Sequence, residues 1–97
     1  MDDLRALAEK TKPIFKKWNI KRAQLYGSRA RGDYREGSDV DVLIDYGDAP
    51  FSLLDHVGLQ QDLSEELQLP VDVVTEDAVH PLLREAIYSD ARTIYEG

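Results

Sequence analysis

Apolar residues recur along this chain with two different periods, and the switches between them mark out the elements. Leu4, Leu7, Ala8, Thr11, Ile14, Phe15 and Trp18 share one stripe at helical spacing, with Lys10, Lys12, Lys16 and Lys17 mostly outside it. This predicts an amphipathic helix from Asp2 to about Trp18, which Pro13 should kink or restart because it removes one helical N–H. Ile20 to Tyr26 alternates at Ala23 and Leu25 and stops at Gly27, the pattern of a first strand. A polar loop, Asp33 to Ser38, feeds a second strand from Val40 to Tyr46. Alternation then puts Val40, Val42 and Ile44 on one face and Asp39, Asp41, Leu43 and Asp45 on the other.

Beyond a turn at Asp48 to Pro50, Ser52 and Asp55 have the spacing of a capping box. They open a helix to about Leu67, with Leu53, Leu54, Val57, Leu59, Leu63 and Leu67 as a broad apolar side and Gly58 as a local cost. Pro70 introduces a third strand, Val71 to Thr75, in which one carboxylate, Asp72, interrupts a β-branched run. Pro81 to Tyr88 reads as a helix and Ala91 to Tyr95 as a last strand at a sheet edge. The order is helix, strand, strand, helix, strand, helix, strand, without repeats or linkers. It predicts one mixed α/β (α+β) domain, residues 1–97, with helices flanking a small mixed sheet.

Composition narrows the function. A net charge of -7 argues against a protein that tracks nucleic-acid phosphates, because such binding is driven by Lys and Arg, and it favours a small ligand or a basic protein partner. The absence of Cys excludes disulfides and thiolate zinc sites. No long apolar run or secretory pattern is present, so a cytoplasmic location away from membranes is expected.

Two short stretches carry chemistry. Gly27 and Ser28 follow a strand and precede residues that can begin a helix, where unpaired N–H groups favour an anion. Asp39 and Asp41 stand two apart on a strand, so both carboxylates share a face about 6–7 Å apart at the backbone. Oxygen ligands of this kind suit magnesium. Asp72 is a third ligand if its strand lies beside the second with the same face exposed; otherwise it is a solvated or salt-bridged strand residue. Read singly, each feature has a plain structural explanation. Gly-Ser is a common turn and cap, His56 and His80 suit surface or capping positions, and Asp45, Asp48 and Asp55 suit exposed element ends. Neither GxxxxGK[ST] nor GxGxxG occurs.

Together, Gly27-Ser28-Arg29-Ala30-Arg31-Gly32 and Ser38-Asp39-Val40-Asp41 resemble the GSxARG and SDxD signature of the nucleotidyltransferase superfamily typified by DNA polymerase beta. The small size and the placement of Asp72 make the chain similar to minimal nucleotidyltransferase (MNT) domains, the antitoxins of HEPN/MNT toxin–antitoxin pairs. The resemblance spans nearly the whole chain. It implies the polymerase beta-like fold, ATP as substrate, Gly27 and Ser28 on the β and γ phosphates, and Asp39 and Asp41 as ligands of Mg2+. It also implies that Asp72 completes the metal site and helps deprotonate the attacking hydroxyl. Arg31 matches the ARG element, where phosphate contact or anchoring of the turn is expected. Arg29 falls on a variable position, where a phosphate contact competes with a solvated side chain. The implied reaction is AMP transfer from ATP to a hydroxyl, a tyrosine of a HEPN ribonuclease toxin, within a hetero-oligomer. The alternatives are a non-catalytic antitoxin that masks its toxin and a small-molecule nucleotidyltransferase.

Overall fold

The computed structural model describes residues 3–35 and 37–97. Its strands are β1 (Arg22–Tyr26), β2 (Val40–Asp45), β3 (Val71–Thr75) and β4 (Arg92–Glu96). They form a mixed sheet in the order β3-β2-β1-β4, antiparallel except for the parallel pair of β2 and β3. The helices are α1 (Asp3–Lys17), α2 (Ser28–Arg31), α3 (Leu53–Leu67) and α4 (Pro81–Asp90), with a 3-10 turn at Glu76–Ala78. Asp2, the expected start of the first helix, lies outside the described residues.

One face of the sheet carries the core. Ala23, Leu25, Val40, Val42, Ile44, Val71, Val73 and Ile94 meet Phe15 of α1 and Leu59 and Leu63 of α3. Full burial of a side chain such as Phe15 or Leu63 contributes roughly 1.5–3 kcal/mol. The first strand begins two residues later than its apolar pattern suggests. The amide of Ile20 bonds back to the carbonyl of Phe15 at 3.0 Å, so this buried side chain closes α1.

Three local expectations change. The first concerns Pro13, because α1 runs through it as a single helix. Pro13 and Glu9 are both exposed, so water can replace the helical donor that the Glu9 carbonyl loses. The second concerns the apolar side of α3, where only Leu59 and Leu63 are buried, while Leu53, Leu54 and Val57 are 77%, 82% and 45% exposed. At about 100° per residue those three lie about 100–160° round the helix from the centre of the buried stripe. The third concerns Gly58, whose cost has a purpose: a Cβ there would stand 2.6 Å from the ring of Trp18. The bare backbone admits the indole, which donates from Nε1 to Asp62 at 2.8 Å.

A polar stripe on α3 covers the free edge of β3. Ser64 Oγ accepts from the amide of Val71 at 3.1 Å, Gln60 Oε1 accepts from the amide of Val73 at 3.0 Å, and His56 Nε2 donates to the carbonyl of Val73 at 2.7 Å. His56 is therefore a half-buried ligand of the strand edge rather than a surface or helix-capping residue. His80 does cap α4, its Nδ1 accepting from the amide of Leu82.

Candidate active site

The site lies on the other face of the sheet, where β1, β2 and β3 run side by side. Tyr26 pairs with Asp41 across the antiparallel ladder, and Asp41 pairs with Asp72 across the parallel one. These pairings make a row of Tyr26, Asp41 and Asp72 across three strands, on the face opposite the core residues Leu25, Val42 and Val73. The condition set by the sequence for Asp72 is thereby met: its strand neighbours β2 and it shares the face of Asp41. Asp39 precedes β2 by one residue and is exposed, as is Asp72, while Asp41 is half-buried.

Gly27 connects this row to the turn. Its φ of 76° and ψ of -155° belong to a region that residues with a Cβ avoid, and a Cβ there would stand 2.7 Å from Oδ2 of Asp41. Glycine thus lets the turn touch a carboxylate. Ser28 then begins the four-residue α2, whose first bonds run from the amides of Ala30 and Arg31 to the carbonyl of Gly27 at 3.0 and 3.1 Å. The earlier amides, those of Ser28 and Arg29, have no intrahelical acceptor, as at any helix start. Gly32, in the left-handed region at φ 89°, ends the turn by donating to the Ser28 carbonyl.

Electrostatically the row is unbalanced. Burial first, then the charges of Asp72 and Asp39, push the Asp41 carboxyl above its ordinary range. The Tyr26 phenol is pushed up to about 12, mainly by burial and further by Asp41 and Asp72. Neighbouring carboxylates that raise the proton affinity of Asp41 are a fit for a cation, and an all-oxygen donor set suits a hard one such as magnesium. Among the described residues, no three His, Cys, Asp or Glu side chains are already gathered as a metal-holding group. Two of these carboxylates are open to solvent, and magnesium commonly completes its shell with substrate phosphates and water.

The two arginines of the motif point elsewhere. Arg31 is held by Asp33 at 3.1 Å and by Asp90, the last residue of α4, at 2.8 Å. It ties α2 to α4. Arg29 is half-buried rather than solvated: its Nη2 donates to the carbonyl of Ser38 at 3.1 Å and its guanidinium lies 4.1 Å from the ring centre of Tyr34. Tyr26 was not singled out by sequence pattern. The available signal was its place one residue before Gly27, where alternation from buried Leu25 turns it toward the carboxylate face.

A glycine turn abutting a carboxylate row on a mixed sheet defines a class, and sequence comparison agrees with it. The chain belongs to the nucleotidyltransferase domain family, whose profile matches residues 7–94. A Methanocaldococcus jannaschii relative, MJ0435, provisionally named a protein adenylyltransferase, is 40% identical over 89 residues, covering 92% of this chain and 95% of its own length. The protein adenylyltransferase MntA of Thermococcus cleftensis is 33% identical over 82 residues, covering 79% of this chain and 82% of its own. A chain in the solved complex of a tri-AMPylated Shewanella oneidensis HEPN toxin with its MNT antitoxin shares the fold, with a TM-score of 0.74 at 14% identity over 97% of this chain and 73% of that one. Among the described residues no helix is long and apolar enough to cross a membrane.

Proposed function

We propose that residues 1–97 act as one minimal nucleotidyltransferase domain that moves AMP from ATP to the hydroxyl of a protein, a tyrosine of a HEPN ribonuclease toxin, and so neutralises it. The observation that carries this reading is Asp41 standing between Gly27, in the turn that follows β1, and Asp72 on β3. Phosphate turn and carboxylates are then within reach of a single nucleotide. The names of the adenylyltransferase relatives and the AMPylated toxin in the similar complex support the nucleotide and the acceptor.

In this mechanism Gly27 and Ser28 cradle the β and γ phosphates through backbone amides, and Asp39, Asp41 and Asp72 hold magnesium. When bound, the metal supplies Lewis acidity toward the phosphoryl oxygens. Asp72, exposed where Asp41 is half-buried, accepts the proton of the acceptor hydroxyl as its oxygen bonds to the α-phosphorus and pyrophosphate leaves. Asp41 keeps the metal site aligned against Gly27. Positioning and charge do the work, with no covalent enzyme intermediate.

Masking of the toxin without transfer is a second reading, favoured by one observation: Leu53, Leu54 and Leu82 are each more than three-quarters exposed. Such side chains suit a partner surface, and a hetero-oligomer accommodates both readings. Intact mass of the toxin after incubation with this chain, ATP and magnesium separates them. Added adenylyl groups that disappear with Asp39→Asn support transfer. An unmodified toxin that is still silenced by Asp39→Asn supports masking.

A further inference from the structure

Arg29 occupies the variable position of the GSxARG pattern, and the fold gives it surroundings unlike those of a phosphate ligand. Its side chain borders clefts lined by Leu4, Leu7 and Leu25 and by Lys10, Tyr34 and Leu67. Leu4, Leu7, Leu25 and Leu67 belong to the core side of the sheet, whereas Asp41 and Asp72 stand on the opposite face. The guanidinium Nε is shielded from water and has no acceptor among the described residues. Among the described residues Arg29 makes one hydrogen bond, Nη2 to the carbonyl of Ser38 at 3.1 Å, which ends one residue before Asp39.

That bond matters because Asp39 lies in no regular element and, among the described residues, is fixed through its neighbours. On its C-terminal side the amide of Val40 donates to the carbonyl of Pro70 at 2.9 Å. On its N-terminal side Ser38 closes a small turn with Arg35, amide to carbonyl at 3.0 Å and Oγ from the Arg35 amide at 2.9 Å, and that turn is joined to α2 through Arg29. The guanidinium carbon also lies over the Tyr34 ring, 4.1 Å from its centre.

We infer that Arg29 is a positioning residue: it locks the loop bearing Asp39 to the phosphate turn from behind the sheet, so that metal and triphosphate are held in one register, and it does not touch the nucleotide. The inference rests on the nucleotidyltransferase reading of the site. A planar donor lying over an aromatic ring is not replaced by a point charge, so Arg29→Lys should behave like Arg29→Met here, whereas a phosphate cation would be largely rescued by lysine.

The test measures backbone order parameters and magnesium-dependent ATP binding in wild type, Arg29→Met and Arg29→Lys. Expected in both variants are order parameters at Ser38 and Asp39 falling below about 0.6 with the strands unchanged. Also expected is a magnesium midpoint for ATP binding raised roughly 10-fold, with near-normal ATP affinity once magnesium saturates. Unchanged order parameters overturn the inference, as does ATP affinity lost at every magnesium concentration in Arg29→Met but kept in Arg29→Lys. If wild type binds no ATP at any magnesium concentration, the nucleotidyltransferase reading fails, and the order parameters alone decide whether Arg29 holds the loop.

Discussion

Gly27→Ala separates two costs that meet at one atom. The native φ of 76° and ψ of -155° are a conformation that costs a residue with a side chain about 1–3 kcal/mol. The new Cβ would also stand 2.7 Å from Oδ2 of Asp41, closer than side-chain atoms pack, so the carboxylate must rotate or the turn must shift. Strain alone lowers the melting temperature by roughly 4–24 °C for a domain of this size. Urea unfolding followed by the fluorescence of Trp18, the single tryptophan, measures it. Asp41→Ala removes the clashing oxygen and leaves Asp41 Cβ at an ordinary 3.8 Å from the new group. A double-mutant cycle therefore isolates the contact as the coupling energy, while the backbone strain persists in both backgrounds. A Gly27→Ala protein as stable as wild type, within about 0.5 kcal/mol, and still binding Mg·ATP would refute the reasoning on both counts.

Gly58→Ala should destabilise the fold even though alanine is worth about 1 kcal/mol more than glycine inside a helix. Overpacking against the Trp18 ring costs typically 1–3 kcal/mol, so a net loss on urea unfolding is expected and a gain would show that the indole yields. Asp62 is held below its ordinary 3.8 first by the indole N–H of Trp18 and then by Lys17. Its stabilisation is present above 3.8 and is lost as pH falls through the lower folded value. Asp62→Asn should therefore cost about 1 kcal/mol at neutral pH and flatten acid unfolding in that window, as read by melts across pH. The opposite sign applies to Asp41, whose raised carboxyl favours folding while protonated and weakens it as pH climbs above 3.8. In EDTA at pH 7, Asp41→Asn should melt above wild type, and with magnesium and ATP supplied it should fail to transfer AMP; a lower melting point would argue against like-charge strain in the row.

Much of this architecture can be read from period-two alternation. Val40, Val42 and Ile44 face the core, and Asp41 falls on the other face because a strand permits nothing else. Hidden from the sequence was the partner of each strand. Asp72 becomes a neighbour of Asp41 only because β3 pairs parallel to β2, a register set by long-range packing. Arg29 and His56 show a different limit, because a polar side chain on a helix does not reveal whether it meets water or a distant backbone carbonyl. Leu53, Leu54 and Val57 show a third: an apolar stripe spreading more than halfway round a helix does not say which part will be buried.

The three hydrogen bonds from α3 to the edge of β3 come from positions 56, 60 and 64, one helical turn apart. Helix and strand are thereby geared together, since a one-residue slip of α3 would disengage all three teeth. The groups that they grip, the Val71 amide and the amide and carbonyl of Val73, flank Asp72, so the depth of that carboxylate opposite Asp41 is indexed by a helix on the far side of the sheet. Substitutions at Gln60 or Ser64, which touch no ligand, should therefore detune the carboxylate row, a route by which remote drift in α3 can silence the chemistry while sparing the fold.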